Sequence, residues 1–133
     1  MVRLTSDGKE IEVPEGTNII EAARRLGIEV PHYCYHPGLS VAGQCRLCMV
    51  ELGNNPRPQI ACNTQVAEGL VVRTETPKVL ETRQSIMEFH LINHPLDCPV
   101  CDQAGECGLQ IYYMKHGLYE PRIVDEKVHK PKA

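Results

Sequence analysis

The sequence predicts an α+β fold: a small sheet folded over one helix, then a short helical element built around cysteines. The first 27 residues read as strand, turn, strand and helix, which is how such a sheet begins. Aromatic residues are few, with five Tyr, one Phe and no Trp in 133 residues, while Cys numbers seven. Large rings normally supply much of a core's buried area. A thin core with many cysteines therefore implies that something besides packing holds the chain together.

Val2 and Leu4 alternate with polar residues, Asp7-Gly8 is a two-residue turn signal, and Ile11 and Val13 alternate again, which predicts a hairpin. Pro14-Glu15-Gly16 breaks the second strand. Thr17 or Asn18 can cap a helix, and Asn18 with Glu21 fits a capping box. Ile19, Ile20, Ala23 and Leu26 form its apolar stripe, and Gly27 stops it. Residues 28–46 read as a long loop, which in a compact domain is usually functional. Residues 47–52 read as a strand, Gly53 to Pro56 as a turn, Gln59 to Cys62 as the return, and Leu70 to Val72 as another strand. Thr76 caps a second helix with Pro77 at its first position. Val79, Leu80, Ile86, Met87 and Leu91 fall on one broad face, and Pro95 ends the helix near Asn93. A cysteine-rich loop over 95–106 and a short helix over 107–116, closed by Gly117, complete the pattern.

Composition excludes several classes. A net charge of −3 argues against a general nucleic-acid binder. No apolar run is long enough for a transmembrane helix. Met1-Val-Arg-Leu-Thr-Ser-Asp lacks the anatomy of a signal peptide, so structural disulfides are not expected, and metal or redox chemistry is the better reading of an odd cysteine count. The last stretch, with Lys127, Lys130 and Lys132 around Pro131, reads as a solvated tail.

Cys34, Cys45, Cys48 and Cys62 are spaced C-x10-C-x2-C-x13-C. The central pair is one turn, and the outer two come from separate loops, so the chain wraps an object larger than one ion. A 2Fe-2S cluster needs four thiolates, two on each iron. Gly43 is the kind of residue that lets backbone approach such a group closely. Zinc is the rival, although structural zinc sites usually show two short C-x2–4-C knuckles and here there is one. His94, Cys98, Cys101 and Cys107 are spaced H-x3-C-x2-C-x5-C, which suits a 4Fe-4S cube or a tetrahedral zinc. His90, one turn earlier, is the runner-up ligand, and His32, His36, His116 and His129 lack matching spacing. An imidazole ligand is neutral, and its second nitrogen stays available for a hydrogen bond or a proton.

Gly43-Gln44-Cys45-Arg46-Leu47-Cys48-Met49-Val50-Glu51, with Cys34 before and Ala61-Cys62-Asn63-Thr64 after, resembles the N-terminal ferredoxin domain of the large iron–sulfur (G) subunits of respiratory complex I, the NADH:quinone oxidoreductases. The run from His94-Pro95-Leu96-Asp97-Cys98 through Cys101 to Cys107-Gly108-Leu109-Gln110 resembles the same family's next element, a 4Fe-4S site with one His and three Cys ligands. The resemblance implies a β-grasp 2Fe-2S ferredoxin-like domain over 1–77, a helix plus His/Cys-ligated element over 78–117, and a tail or linker over 118–133. It implies Cys34, Cys45, Cys48 and Cys62 as ligands of one 2Fe-2S cluster, and His94, Cys98, Cys101 and Cys107 as ligands of one 4Fe-4S cluster.

The function implied is an electron relay from an NADH-oxidising flavin and iron–sulfur module toward quinone. The partners implied are the flavin/NADH-binding subunit and downstream iron–sulfur subunits. The place implied is cytoplasmic, peripheral on the inner face of the cell membrane, without insertion in it. Related modules occur in iron-only and NAD(P)-linked hydrogenases and in formate dehydrogenases, whose electron-input end is the alternative. No G-x-G-x-x-G follows a strand, so the chain is expected to bind neither NADH nor quinone itself. Family members continue into further cysteine clusters, whereas no cysteine follows Cys107. That predicts either a fragment or a relay completed by another polypeptide.

Overall fold

The computed structural model describes residues 1–131, so Lys132 of the expected tail lies outside the described residues. The chain forms two compact units, Met1–Thr82 and a second that begins at Arg83.

In the first unit β1 (Val2–Ser6) and β2 (Lys9–Val13) pair antiparallel, with Val2 opposite Val13 and Ser6 opposite Lys9. Their turn has positive φ at both central residues, Asp7 (49°) and Gly8 (81°), as a two-residue hairpin of this hand requires. The Asp7 carboxylate accepts hydrogen bonds from the Thr74 N–H (2.9 Å) and hydroxyl, which ties the turn to the end of β5 (Leu70–Arg73). The helix α1 (Ile19–Arg25) opens on Asn18, whose Oδ1 accepts from the Glu21 N–H at 2.9 Å. It closes with Gly27 at φ 75°, where Gly27 N–H bonds Arg24 O and Ile28 N–H bonds Ala23 O.

The five strands run in the order β2-β1-β5-β3-β4. β1 and β5 are parallel, with Leu4 opposite Leu70, and β3 (Met49–Leu52) and β4 (Gln59–Ile60) continue the sheet antiparallel. Leu4, Val13, Val50 and Val72 of the sheet pack with Ile19, Ile20, Ala22 and Ala23 of α1, and Cys48 and Cys62 lie in this same core.

Two strands are shorter than the pattern predicts. β3 starts at Met49, not 47, because Arg46 takes a left-handed φ of 59° and turns Leu47 and Cys48 out of extended geometry. β4 has two residues, after which Ala61–Asn63 winds into a 3₁₀ turn.

The second helix, α2 (Pro77–Leu91), starts as expected: Val79 N–H donates to Thr76 Oγ1 at 3.2 Å. Its buried stripe differs from the expectation. Leu80 is 41% exposed, and Arg83, spaced i+4 from Val79 and i−4 from Met87, is buried instead. Within the second unit a 3₁₀ turn, Cys98–Val100, leads to α3 (Gly108–His116). Gly117 follows α3 at an ordinary φ of −82°, so it is not a left-handed stop. A Cβ there would collide with the ring of Tyr113 and sit 2.7 Å from its carbonyl oxygen. Among the described residues no helix is long and apolar enough to cross a membrane.

Candidate iron–sulfur centres

In the first unit, local structure brings four cysteines together from three segments. Cys34 leaves α1's far end by way of the loop after Val30, where His32 Nδ1 lies 2.7 Å from Val30 O and the His32 ring meets Tyr35 edge-on. Tyr35 is buried, and its hydroxyl donates to Glu21 Oε1 at 2.9 Å, so the carboxylate expected to complete a capping box also holds the cysteine loop. Gly43 (φ 63°) and Arg46 (φ 59°) both adopt left-handed backbone, which folds residues 43–48 into a tight arch. The N–H groups of Gly43, Gln44 and Cys45 point at the Cys34 sulfur. Cys62 sits in the 3₁₀ turn after β4, fixed by Ala61 N–H to Cys48 O (3.0 Å) and by Thr64 Oγ1 to Ile60 O (2.7 Å).

The sulfurs feel one another. Burial pushes the Cys62 thiol up to about 12, helped by the charges of Cys48, Cys34 and Cys45. Burial likewise raises Cys48, which also hydrogen-bonds Cys62. At Cys34 burial is opposed and outweighed by the three backbone N–H donors together with a hydrogen bond to the Cys45 side chain, and the thiol is lowered. Cys48 and Cys62 are each 1% exposed, while Cys34 and Cys45 are half-buried. Four mutually repelling thiolates in one low-dielectric corner need a cationic centre to coexist. The backbone donors aimed at Cys34 supply hydrogen bonds that such a sulfur-rich group accepts. The donor set fits a binuclear iron–sulfur cluster.

In the second unit a run of tight turns carries the remaining cysteines: Cys101 N–H bonds Cys98 O, Ala104 N–H bonds Cys101 O, and Glu106 N–H bonds Gln103 O. Gly105 (φ 90°) donates its N–H to Gln110 Oε1 at 3.1 Å, and Cys107 caps the start of α3. His94, Cys98, Cys101 and Cys107 all line one cavity of about 970 Å³. Among the described residues they do not converge at single-ion spacing; they stand around a space. His94, not His90, is on the wall of that cavity. His36 accepts the Gly38 N–H on Nδ1, and the His116 ring lies tilted at 51° beside Tyr112, so both have local roles.

Residues 1–77 match the family model described as the 2Fe-2S iron-sulfur cluster binding domain. The chain belongs to that family. Residues 83–122 match a second model, the NADH-ubiquinone oxidoreductase-G iron-sulfur binding region. Among curated relatives, the G subunit of the Rickettsia bellii NADH-quinone oxidoreductase is 48% identical over 127 residues, covering 96% of this chain and 19% of its own length. The NADH-ubiquinone oxidoreductase 75 kDa subunit of Reclinomonas americana is 46% identical over 127 residues, 96% of this chain and 18% of that protein. The chain thus spans about a fifth of the curated relatives it matches. Among solved structures, a chain of an NAD+-reducing NiFe hydrogenase in its H2-reduced state superposes with a TM-score of 0.85 at 30% identity, covering 98% of this chain and 55% of that one. The mixed sheet with its cysteine arch is a ferredoxin-type iron–sulfur domain, and a 4Fe-4S binding region follows it.

Three residues around these centres carry no readable signal in the sequence. Tyr35 meets a partner, Glu21, that is 14 positions away. Arg122 and Lys127 stand on the wall of the second cavity, although their segment reads as solvated tail.

Proposed function

We propose that this chain is an electron-transfer subunit of a complex I-like NADH dehydrogenase. In this reading Cys34, Cys45, Cys48 and Cys62 hold one 2Fe-2S cluster, and His94, Cys98, Cys101 and Cys107 hold one 4Fe-4S cluster. The observation that carries it is the first cysteine quartet, with Cys48 and Cys62 in the core, Cys34 and Cys45 at its edge, and backbone N–H groups aimed at the Cys34 sulfur. When bound, the clusters accept and release single electrons. The protein fixes their ligands, their solvent access and their hydrogen bonds. Buried Cys48 and Cys62 keep water from one side of the first centre, and half-buried Cys34 and Cys45 leave the other side near the surface for electron passage.

The partners in this reading are a flavin and NADH-binding subunit on the donor side and further iron–sulfur subunits toward quinone, in a complex peripheral to the inner face of the cell membrane. Exposed Leu96 and Val100, 77% and 83% accessible beside the second centre, suit burial against such a neighbour. The domain division proposed is 1–77, 78–117 and 118–133. A second reading, the electron-input module of an NAD-linked hydrogenase, has the structural neighbour in its favour. The NADH-quinone oxidoreductase relatives, at higher identity, favour the first.

The test is anaerobic iron and sulfide quantitation with electron paramagnetic resonance of the reduced chain. About six irons with one binuclear and one cubane signal are expected from the two ligand sets. A colourless preparation holding zinc would sink the proposal.

A further inference from the structure

The segment after α3 is bound to the end of α2 at three points. Arg122 makes a two-pronged pair with Glu88, Nε to Oε2 at 2.8 Å and Nη2 to Oε1 at 2.9 Å. Lys127 Nζ donates to the carbonyls of Leu91 (2.7 Å) and Ile92 (3.2 Å). Val128 N–H donates to Asn93 Oδ1 at 2.9 Å. These contacts fall on the last turn of α2 and the residues just before His94.

Both long cations also line the cavity shared by His94, Cys98, Cys101 and Cys107, but they are used differently. The Arg122 charge is matched by Glu88. The Lys127 ammonium is half-buried and faces neutral carbonyls at a helix C-terminus, where a cation is favoured by the helix dipole. Asp97, Glu120 and Asp125 are the other charged groups on this wall, and all are acidic.

We propose that Lys127 is a positioning residue that sets the reduction potential of the second cluster. It does so by fixing a positive charge on the cavity wall and anchoring the α2 end that presents His94. This rests on the cluster assignment under Proposed function. A cluster that takes up one electron gains one negative charge, so a fixed cation nearby favours the reduced state. A unit charge across a cavity of this size, at the dielectric of a protein surface, moves such an equilibrium by on the order of tenfold.

The experiment is an anaerobic potentiometric titration of the full chain with its clusters in place, each followed by its own paramagnetic signal. Lys127→Gln should lower the reduction equilibrium of the second cluster about tenfold, ~59 mV for one electron, and leave the first cluster where it was. Lys127→Arg should restore the original value. An unmoved second cluster, an equal shift of both clusters, or no recovery in Lys127→Arg would overturn the proposal. Should Lys127→Gln lose the second cluster, Lys127→Arg decides: retention at the original potential supports the role of charge, and loss in both variants refutes it. A parent chain with no cubane signal would instead overturn the cluster assignment itself, which the iron count reads separately.

Discussion

Two glycines show how single residues are required for different reasons. Gly43 needs its freedom of φ, at 63° in the arch over the first cysteines, and a Cβ there would lie 3.3 Å from Ile60 Cδ1. Gly117 needs its lack of bulk, since its φ is ordinary but Tyr113 fills the space. Gly43→Ala should cost about 1–2 kcal/mol of backbone strain. Gly117→Ala should cost about 1–3 kcal/mol by overpacking, read as a lower denaturation midpoint of the second unit with the first unchanged. Cys62 carries a separate expectation for the iron-free chain. Its folded value of about 12 exceeds the ordinary 9.0 because burial and neighbouring thiolates disfavour its charge. The stability it contributes is therefore complete below about pH 9 and is lost as pH rises through about 12. Thermal melts of the iron-free chain should fall steeply over that window, and Cys62→Ser should flatten the fall.

At the scale of elements, what local chemistry decides was legible in the chain, and what distant contacts decide was not. The Asp7-Gly8 hairpin, the Asn18 and Thr76 caps and the helix before Gly117 each follow from neighbouring residues, and the structure has them all. The cysteine spacing also points to a wrapped quartet, because the C-x2-C turn is local and the loops on either side lack periodicity. Arg83 was not legible, since a charged residue in an apolar stripe is normally turned outward, and yet it is buried. Nor was the binding of 122–128 to α2, whose partners are 34 to 36 positions apart and share no pattern. That contact has its own pH dependence. The Glu88 carboxyl is held below its ordinary 4.5 by the hydrogen bond and charge of Arg122, so the contribution is present above 4.5 and lost as pH falls through the lowered value. Hydrogen exchange at the Val128 N–H, taken relative to its intrinsic rate at each pH, should become faster on acidification. In Glu88→Gln it should be fast at neutral pH already, and an acid response surviving in that variant would refute the assignment.

For the molecule as a whole, the two units depend on their centres to different degrees. The first has a core of sheet and helix residues in which Cys48 and Cys62 are only two members. In the second, among the described residues, only Arg83 and Met87 are buried, and α3 has no buried residue at all. A helix of nine residues is marginal without packing, so apolar burial within this unit does not account for its order. The ring of His94, Cys98, Cys101 and Cys107 around a shared cavity offers the missing term, since ligand binding energy in such small sites is folding energy. Anaerobic removal of iron should therefore abolish exchange protection over Gly108–His116, while the amides of β1 and β5 stay protected at reduced stability. Hydrogen exchange with mass spectrometry separates the two regions in one measurement. Equal loss in both would mean that the core around α1 cannot stand without its cluster, and unchanged protection in α3 would mean that the second unit is held by something other than its proposed ligands.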